Sequence, residues 1–186
     1  MQTNELIYMS YRKEVQTRLL SQYNIRVVEA RLSNDITGDF NGHLILIRSD
    51  MTEEMKLFII LHLFGHTVQF STSGVLMMIG MTKFGPENIN DDVLGIVVAY
   101  EHEAARYGLQ LLHQIGITGM DQWMSDWSNG DLEYLLHLYR SGERYHLTLQ
   151  FLLDYKKKWI KPDSRLIEPK SIPSFTQQKW TSRFSF

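Results

Sequence analysis

His62 and His66 stand four residues apart in the run His62-Leu63-Phe64-Gly65-His66. On an α-helix that spacing sets both side chains on one face, about 5–6 Å apart at Cβ. Two imidazoles so placed can reach one zinc ion at about 2.0–2.1 Å, which makes the pair a metal clamp. A zinc peptidase carries Glu directly after the first histidine, as HExxH, to take a proton from the water that attacks the substrate. Here Leu63 holds that place, and leucine neither accepts a proton nor orients water.

With seven histidines in 186 residues, chance alone supplies such a pair in about one chain in four. The plain alternative is a pair of core or surface histidines bonded to carbonyls. The neighbours argue for more than that. At about 100° per residue, His62 and His66 share their face with Met55, Phe58, Ile59 and Gln69. This is the inner side of a helix that is apolar nearly all round between Leu57 and Phe64, as a buried central helix is. A buried imidazole needs a partner for each nitrogen, and a metal satisfies one nitrogen of each ring.

The third ligand is expected from a second helix, where Tyr100-Glu101-His102-Glu103-Ala104 offers three candidates. Glu101 shares a face with Ala104, Ala105, Gly108 and Leu112, a stripe suited to close packing against another helix. Glu103 points with Arg106, Tyr107 and Gln110, where a solvated carboxylate is the natural expectation. Glu101 is therefore the preferred ligand and Glu103 the runner-up. For a proton acceptor in place of Leu63, Glu53 and Glu54 lie more than two turns away, and Glu87 or Asp91 has no support beyond its charge.

Periodicity and turn signals divide the rest of the chain into helices and strands. Residues 4–22 have a helical apolar face, and strand-like runs follow at 25–32, 36–40 and 43–48. Asn41-Gly42 predicts a type I′ hairpin turn between the last two. Asp50-Met51-Thr52-Glu53 resembles a capping box, so the histidine helix is expected from there to about Phe70. The Met77–Met81 segment reads as a short helix or flap. Helices are then expected at about 93–115, 121–127, 131–141 and 144–159. The sum is an α+β fold, a small antiparallel sheet packed on a mostly helical domain with a central HxxxH helix. Residues 1–160 read as one domain and 161–186 as an extended basic C-terminal tail.

Composition narrows the chemistry. The chain has no cysteine, which rules out disulfides and thiolate ligands and leaves zinc only His and carboxylates. Hydrophobic content of 44% and charged content of 22% suit a soluble globular protein. The N-terminus lacks the basic start and apolar stretch of a signal peptide. The most apolar run is far short of the roughly 20 residues that cross a bilayer. A cytoplasmic protein without membrane association is expected. Net charge is −2, yet residues 155–186 carry eight Lys or Arg against Asp163 and Glu168. Such a tail is usually solvated or neutralises its own acidic domain, and no nucleic-acid partner is expected. The four tryptophans read as core packing.

The run ITGDFNGHLILIRSDMTEEMKLFIILHLFGHTVQF resembles the core of the ImmA/IrrE-type metallopeptidases, in which a β-hairpin leads into an acidic-capped helix bearing HExxH. The later run EHEAARYGLQLL is similar to that family's E-x-x-A-x-x-(F/Y)-(A/G) helix. The resemblance covers about residues 23–113. It implies a zincin-like fold with His62, His66 and Glu101 as zinc ligands, and it puts Leu63 where the family has its general base. Three readings stay open. The first is a degenerate metallopeptidase-like protein that binds zinc and holds a peptide or protein partner as a regulatory module. The second is an active zinc metallopeptidase with a substitute base, and the third a metal-free structural relic of the fold.

Overall fold

The computed structural model describes residues 2–33, 36–143, 149–177 and 180. Six helices and three strands follow one another as α1 (Gln2–Tyr23), β1 (Arg26–Ala30), β2 (Gly38–Phe40), β3 (Leu44–Arg48), α2 (Glu53–Thr72), α3 (Gly74–Met81), α4 (Asp91–Gln114), α5 (Asp121–Ser141) and α6 (Leu149–Trp159). The fold is α+β and mostly helical. The part of the expected 144–159 helix before Leu149 lies outside the described residues. No helix among the described residues is long and apolar enough to cross a membrane.

The sheet has the order β1-β3-β2 and is mixed rather than antiparallel. β2 and β3 form the expected antiparallel pair, but β1 lies parallel to β3 on its other side. The central position goes to the strand that is apolar on both faces: Ile45, Leu46 and Ile47 of β3 are all buried, whereas β1 is largely exposed. That leaves β2 as an edge strand. The turn also departs from expectation. Positive φ occurs at Gly42 and not at Asn41. The Asn41 side chain instead turns back and accepts from the backbone N–H groups of His43 and Leu44, at 3.2 and 3.0 Å.

α2 is the central helix, buried from Glu54 to Phe70 at every position except Leu63. Its N-cap is Thr52, whose hydroxyl accepts from Met55 N at 3.3 Å. Asp50 does not cap; it pairs with the buried Arg48 at 2.5 Å. Ordinary burial of an apolar face does not explain how close α4 comes to α2. A Cβ built on Gly65 would stand 2.0 Å from the Ala104 carbonyl oxygen, and one on Gly108 would stand 2.8 Å from that of Leu61. The two glycines let the backbones touch, and this crossing turns Glu101, one helical turn before Ala104, toward His62 and His66.

α5 is one helix where the sequence suggests two. Its polar interior residues are satisfied locally: Asn129 Nδ2 donates to the Ser125 carbonyl at 2.7 Å, and Ser125 Oγ donates to that of Asp121 at 2.6 Å. Gly130 is there for packing, since a Cβ would meet the Trp159 carbonyl oxygen at 2.7 Å. The uninterrupted helix carries Asp131 to the face that looks toward α2.

Residues 160–177 have no regular secondary structure and lie across α4 and α5. Ser164 N donates to Asp126 Oδ1 at 2.9 Å, Ile167 N to Ser125 Oγ at 3.0 Å and Lys170 N to the Arg106 carbonyl at 3.1 Å. Farther along, Trp180 is buried against Phe40 and Phe70, and its indole N–H donates to the Phe40 carbonyl at 3.1 Å.

Candidate metal centre

His62, His66 and Glu101 converge at the floor of a cavity of about 590 Å³. The two Nε2 atoms are 2.9 Å apart, and Glu101 Oε2 stands 3.2 Å from each of them. Ligands at about 2.0–2.1 Å around one tetrahedral zinc ion stand roughly 3.3 Å from one another, so the triangle is close to the size of a metal's ligand shell. Glu101 Oε2 is buried and stands at hydrogen-bond distance from both rings without a hydrogen bond's directionality. Among the described residues, neither Glu101 nor Asp131 has a Lys or Arg ion partner. Their charge partners within the chain are the two histidines, and a divalent cation between these atoms would match the buried carboxylates without a proton on either ring. This buried group can hold a metal ion.

The surroundings fix the rings. His66 is sandwiched between Tyr100, with centroids 4.7 Å apart, and Phe40, at 6.0 Å, while Phe58 stacks on His62 at 5.6 Å. Gln69 Nε2 donates to the Tyr100 carbonyl at 2.8 Å and to Glu103 at 2.9 Å. Both partners only accept, so the amide orientation is determined and Gln69 Oε1 faces His66 Nδ1 at 2.8 Å. The proton of a neutral His66 therefore sits on Nδ1, and the Nε2 lone pair points into the centre. An outer-shell bond of this kind sets the ligand's tautomer and basicity. Gln69→Leu is expected to weaken metal affinity by about 10–100-fold, as read by competition with a chromophoric chelator. An unchanged affinity would remove Gln69 from the site.

Glu103 is not where the runner-up ligand would have to be. It is ion-paired with Lys170 of the C-terminal segment and accepts from Gln69, so it supports the centre at one remove and is not simply solvated. Burial raises the Glu103 pKa, but the bonds from Lys170 and Gln69 and the charge of Lys170 lower it more, to a net depression. A depressed carboxylate stabilises the folded arrangement above its ordinary pKa, about 4.3, and that contribution is lost as pH falls through the lower folded value. Hydrogen-exchange protection of the Lys170 amide should drop in that acidic window. Glu103→Gln should lose the same protection at neutral pH.

Burial lowers the His62 pKa, yet its contact with Glu101 and the charges of Glu101 and Asp131 give a net rise. Burial raises the Glu101 pKa, but His66 and His62 together hold it well below the usual carboxylate range. Asp131 goes the other way. Burial pushes it up and the Glu101 charge adds to this, which outweighs the lowering by His62, the Tyr155 hydrogen bond and His66.

Asp131 is the group that sequence reasoning missed. Its Oδ2 lies 3.9 Å from His62 Nε2, and its Oδ1 accepts from the Tyr155 hydroxyl at 2.9 Å. Trp127, Asp131, Tyr134, Leu135 and Leu138 line the cavity from α5. An acid in the middle of that helical stripe is a readable signal, hidden when the helix is broken at Gly130. The other acids considered from sequence are engaged or distant. Glu54 accepts from Trp123, Trp127 and Lys156, Glu53 pairs with Arg12 and Lys56, and Asp91 opens α4 away from the cavity lining. Glu87 lines the cavity from an exposed loop position. Leu63 also faces the cavity, packed beneath β2 so closely that a Cβ on Gly38 would lie 2.8 Å from Leu63 Cδ1.

No protein-family model, curated protein or solved structure matches the chain. Assignment of the site rests on its own geometry.

Proposed function

We propose that the protein binds zinc through His62, His66 and Glu101 and uses the cleft above that centre to hold an extended peptide or a segment of a protein partner. The observation that carries this is the convergence of three ligand atoms at 2.9–3.2 Å from three residues on two helices. Two imidazoles and one carboxylate, with no thiolate in the chain, form a donor set suited to zinc. The likeness of the 36–70 and 101–112 runs to the ImmA/IrrE-type metallopeptidases supports a zincin-like ancestry. The cleft has the right form for a peptide. Its volume is about 590 Å³, and β2 supplies a sheet edge along it. Thr37 and Asn41 direct main-chain bonds to β3, so by alternation Gly38 presents its main-chain groups outward, where an added strand can pair, while the outward carbonyl of Phe40 is taken by the Trp180 indole.

Leu63 removes the acid on which a family-type peptidase depends, so binding does not require catalysis here. Metal analysis of untagged protein tests this proposal. About one zinc per chain is expected for the native sequence, and His62→Ala should lose it. A second reading, an active hydrolase with a substitute base, is favoured by one observation, the position of Asp131.

A further inference from the structure

Metal-assisted hydrolysis needs a proton acceptor near the metal's open position, within hydrogen-bond reach of the water that reacts. The three candidate ligands come within 4.8 Å of one another, and Asp131 falls outside that set. Its Oδ2 is nevertheless 3.9 Å from His62 Nε2, which puts the carboxylate one shell out from the centre. The side chain keeps 20% of its exposure and lines the cavity, so water and substrate can reach it. Its far oxygen is held by the Tyr155 hydroxyl at 2.9 Å, which directs the other oxygen toward the histidines. Asp39 also lines the cavity, but it makes no ion pair with either histidine.

We propose that Asp131 is the proton acceptor of this site, taking the role that Leu63 cannot fill, and that Tyr155 is its positioning residue. The assignment rests on the metal-centre reading above and extends it to hydrolysis of a peptide bond. Asp131 Oδ2 takes a proton from water as the water oxygen bonds to the peptide carbonyl carbon. The carbon–nitrogen bond then breaks, and the same oxygen passes the proton to the departing amine. A carboxylic acid and an amine result, no oxidant or reductant is needed, and Asp131 ends in its starting state.

The test uses the full-length, zinc-loaded protein and a quenched-fluorescence peptide library, with zinc content measured on every sample. Asp131→Asn keeps shape and hydrogen bonding but cannot accept the proton. It is expected to lower kcat by about 10²–10⁴-fold at unchanged zinc content. Leu63→Glu in the Asp131→Asn background should restore turnover, which a merely structural role for Asp131 would not allow. Tyr155→Phe, a milder change, should lower kcat and leave KM unchanged. Zinc-loaded native protein that cleaves nothing in the library would overturn the proposal. So would an Asp131→Asn variant that retains full turnover, or one that loses its zinc and so identifies Asp131 as a ligand. Native protein that takes up no zinc would instead overturn the metal-centre reading beneath it.

Discussion

Gly65→Ala is expected to destabilise the protein by about 2 kcal/mol or more. Alanine is the better helix former by about 1 kcal/mol, so propensity alone favours the substitution. Packing reverses the sign. The added methyl would stand 2.0 Å from the Ala104 carbonyl oxygen and 2.5 Å from its carbon, and these are backbone atoms that no rotamer change can move. The overlap can be relieved only if α2 and α4 separate, which overpacks or opens the core around Leu61, Phe64 and Leu109. Overpacking typically costs 1–3 kcal/mol and more where nothing yields. For a chain of this length that corresponds to a fall in Tm of roughly 5 °C or more. Because Glu101 rides on the same helix one turn from Ala104, zinc affinity should fall with stability. Gly95→Ala is the control. It lies on α4 with nothing within 4 Å of its Cβ, and it should be neutral or slightly stabilising. Equal melting temperatures for Gly65→Ala and the native protein would show that the helices do not cross this closely.

The crossing is partly legible in the sequence. Gly65 marks a place where another backbone can approach α2 closely, and the Glu101, Ala104, Ala105, Gly108 stripe suits tight packing of α4 against another helix. The phase of Glu101 against Glu103 was legible for the same reason, because a helix assigns faces by residue number alone. What could not be read was anything set by the meeting of distant segments. β1 joins β3 in parallel because β3 is the strand apolar on both faces and takes the centre, a choice that a hairpin signal cannot express. Asn41 avoids positive φ because its own side chain satisfies the turn. Glu103 is not solvated because Lys170, far along the chain, lies over it. Asp131 reaches the site because α5 runs unbroken through Gly130, a glycine set by the approach of the Trp159 carbonyl and not by a turn.

Leu63→Glu, placed in the Asp131→Asn background, should raise peptide hydrolysis by about 10²–10⁴-fold, the usual contribution of one general base. Leu63 is the one partly exposed residue between Glu54 and Phe70, and it faces the cavity that holds His62 and His66. A glutamate there has comparable length and reaches the same space with a carboxylate in place of two methyls. The stability cost should be modest, since the position is not fully buried. Leu63→Gln is the informative control, with the size and polarity of glutamate but no capacity to accept a proton, and it should show no gain. Equal rates for the two variants would mean that position 63 does not face the reacting water.

The most direct measurement is the metal content of untagged protein expressed with ample zinc, taken beside His62→Ala and Glu101→Gln. One zinc per native chain is expected, with little or none in His62→Ala and a clear loss in Glu101→Gln, each variant remaining folded by circular dichroism. A folded native protein that carries no zinc, or that carries the same zinc with His62 replaced, would contradict the metal centre itself.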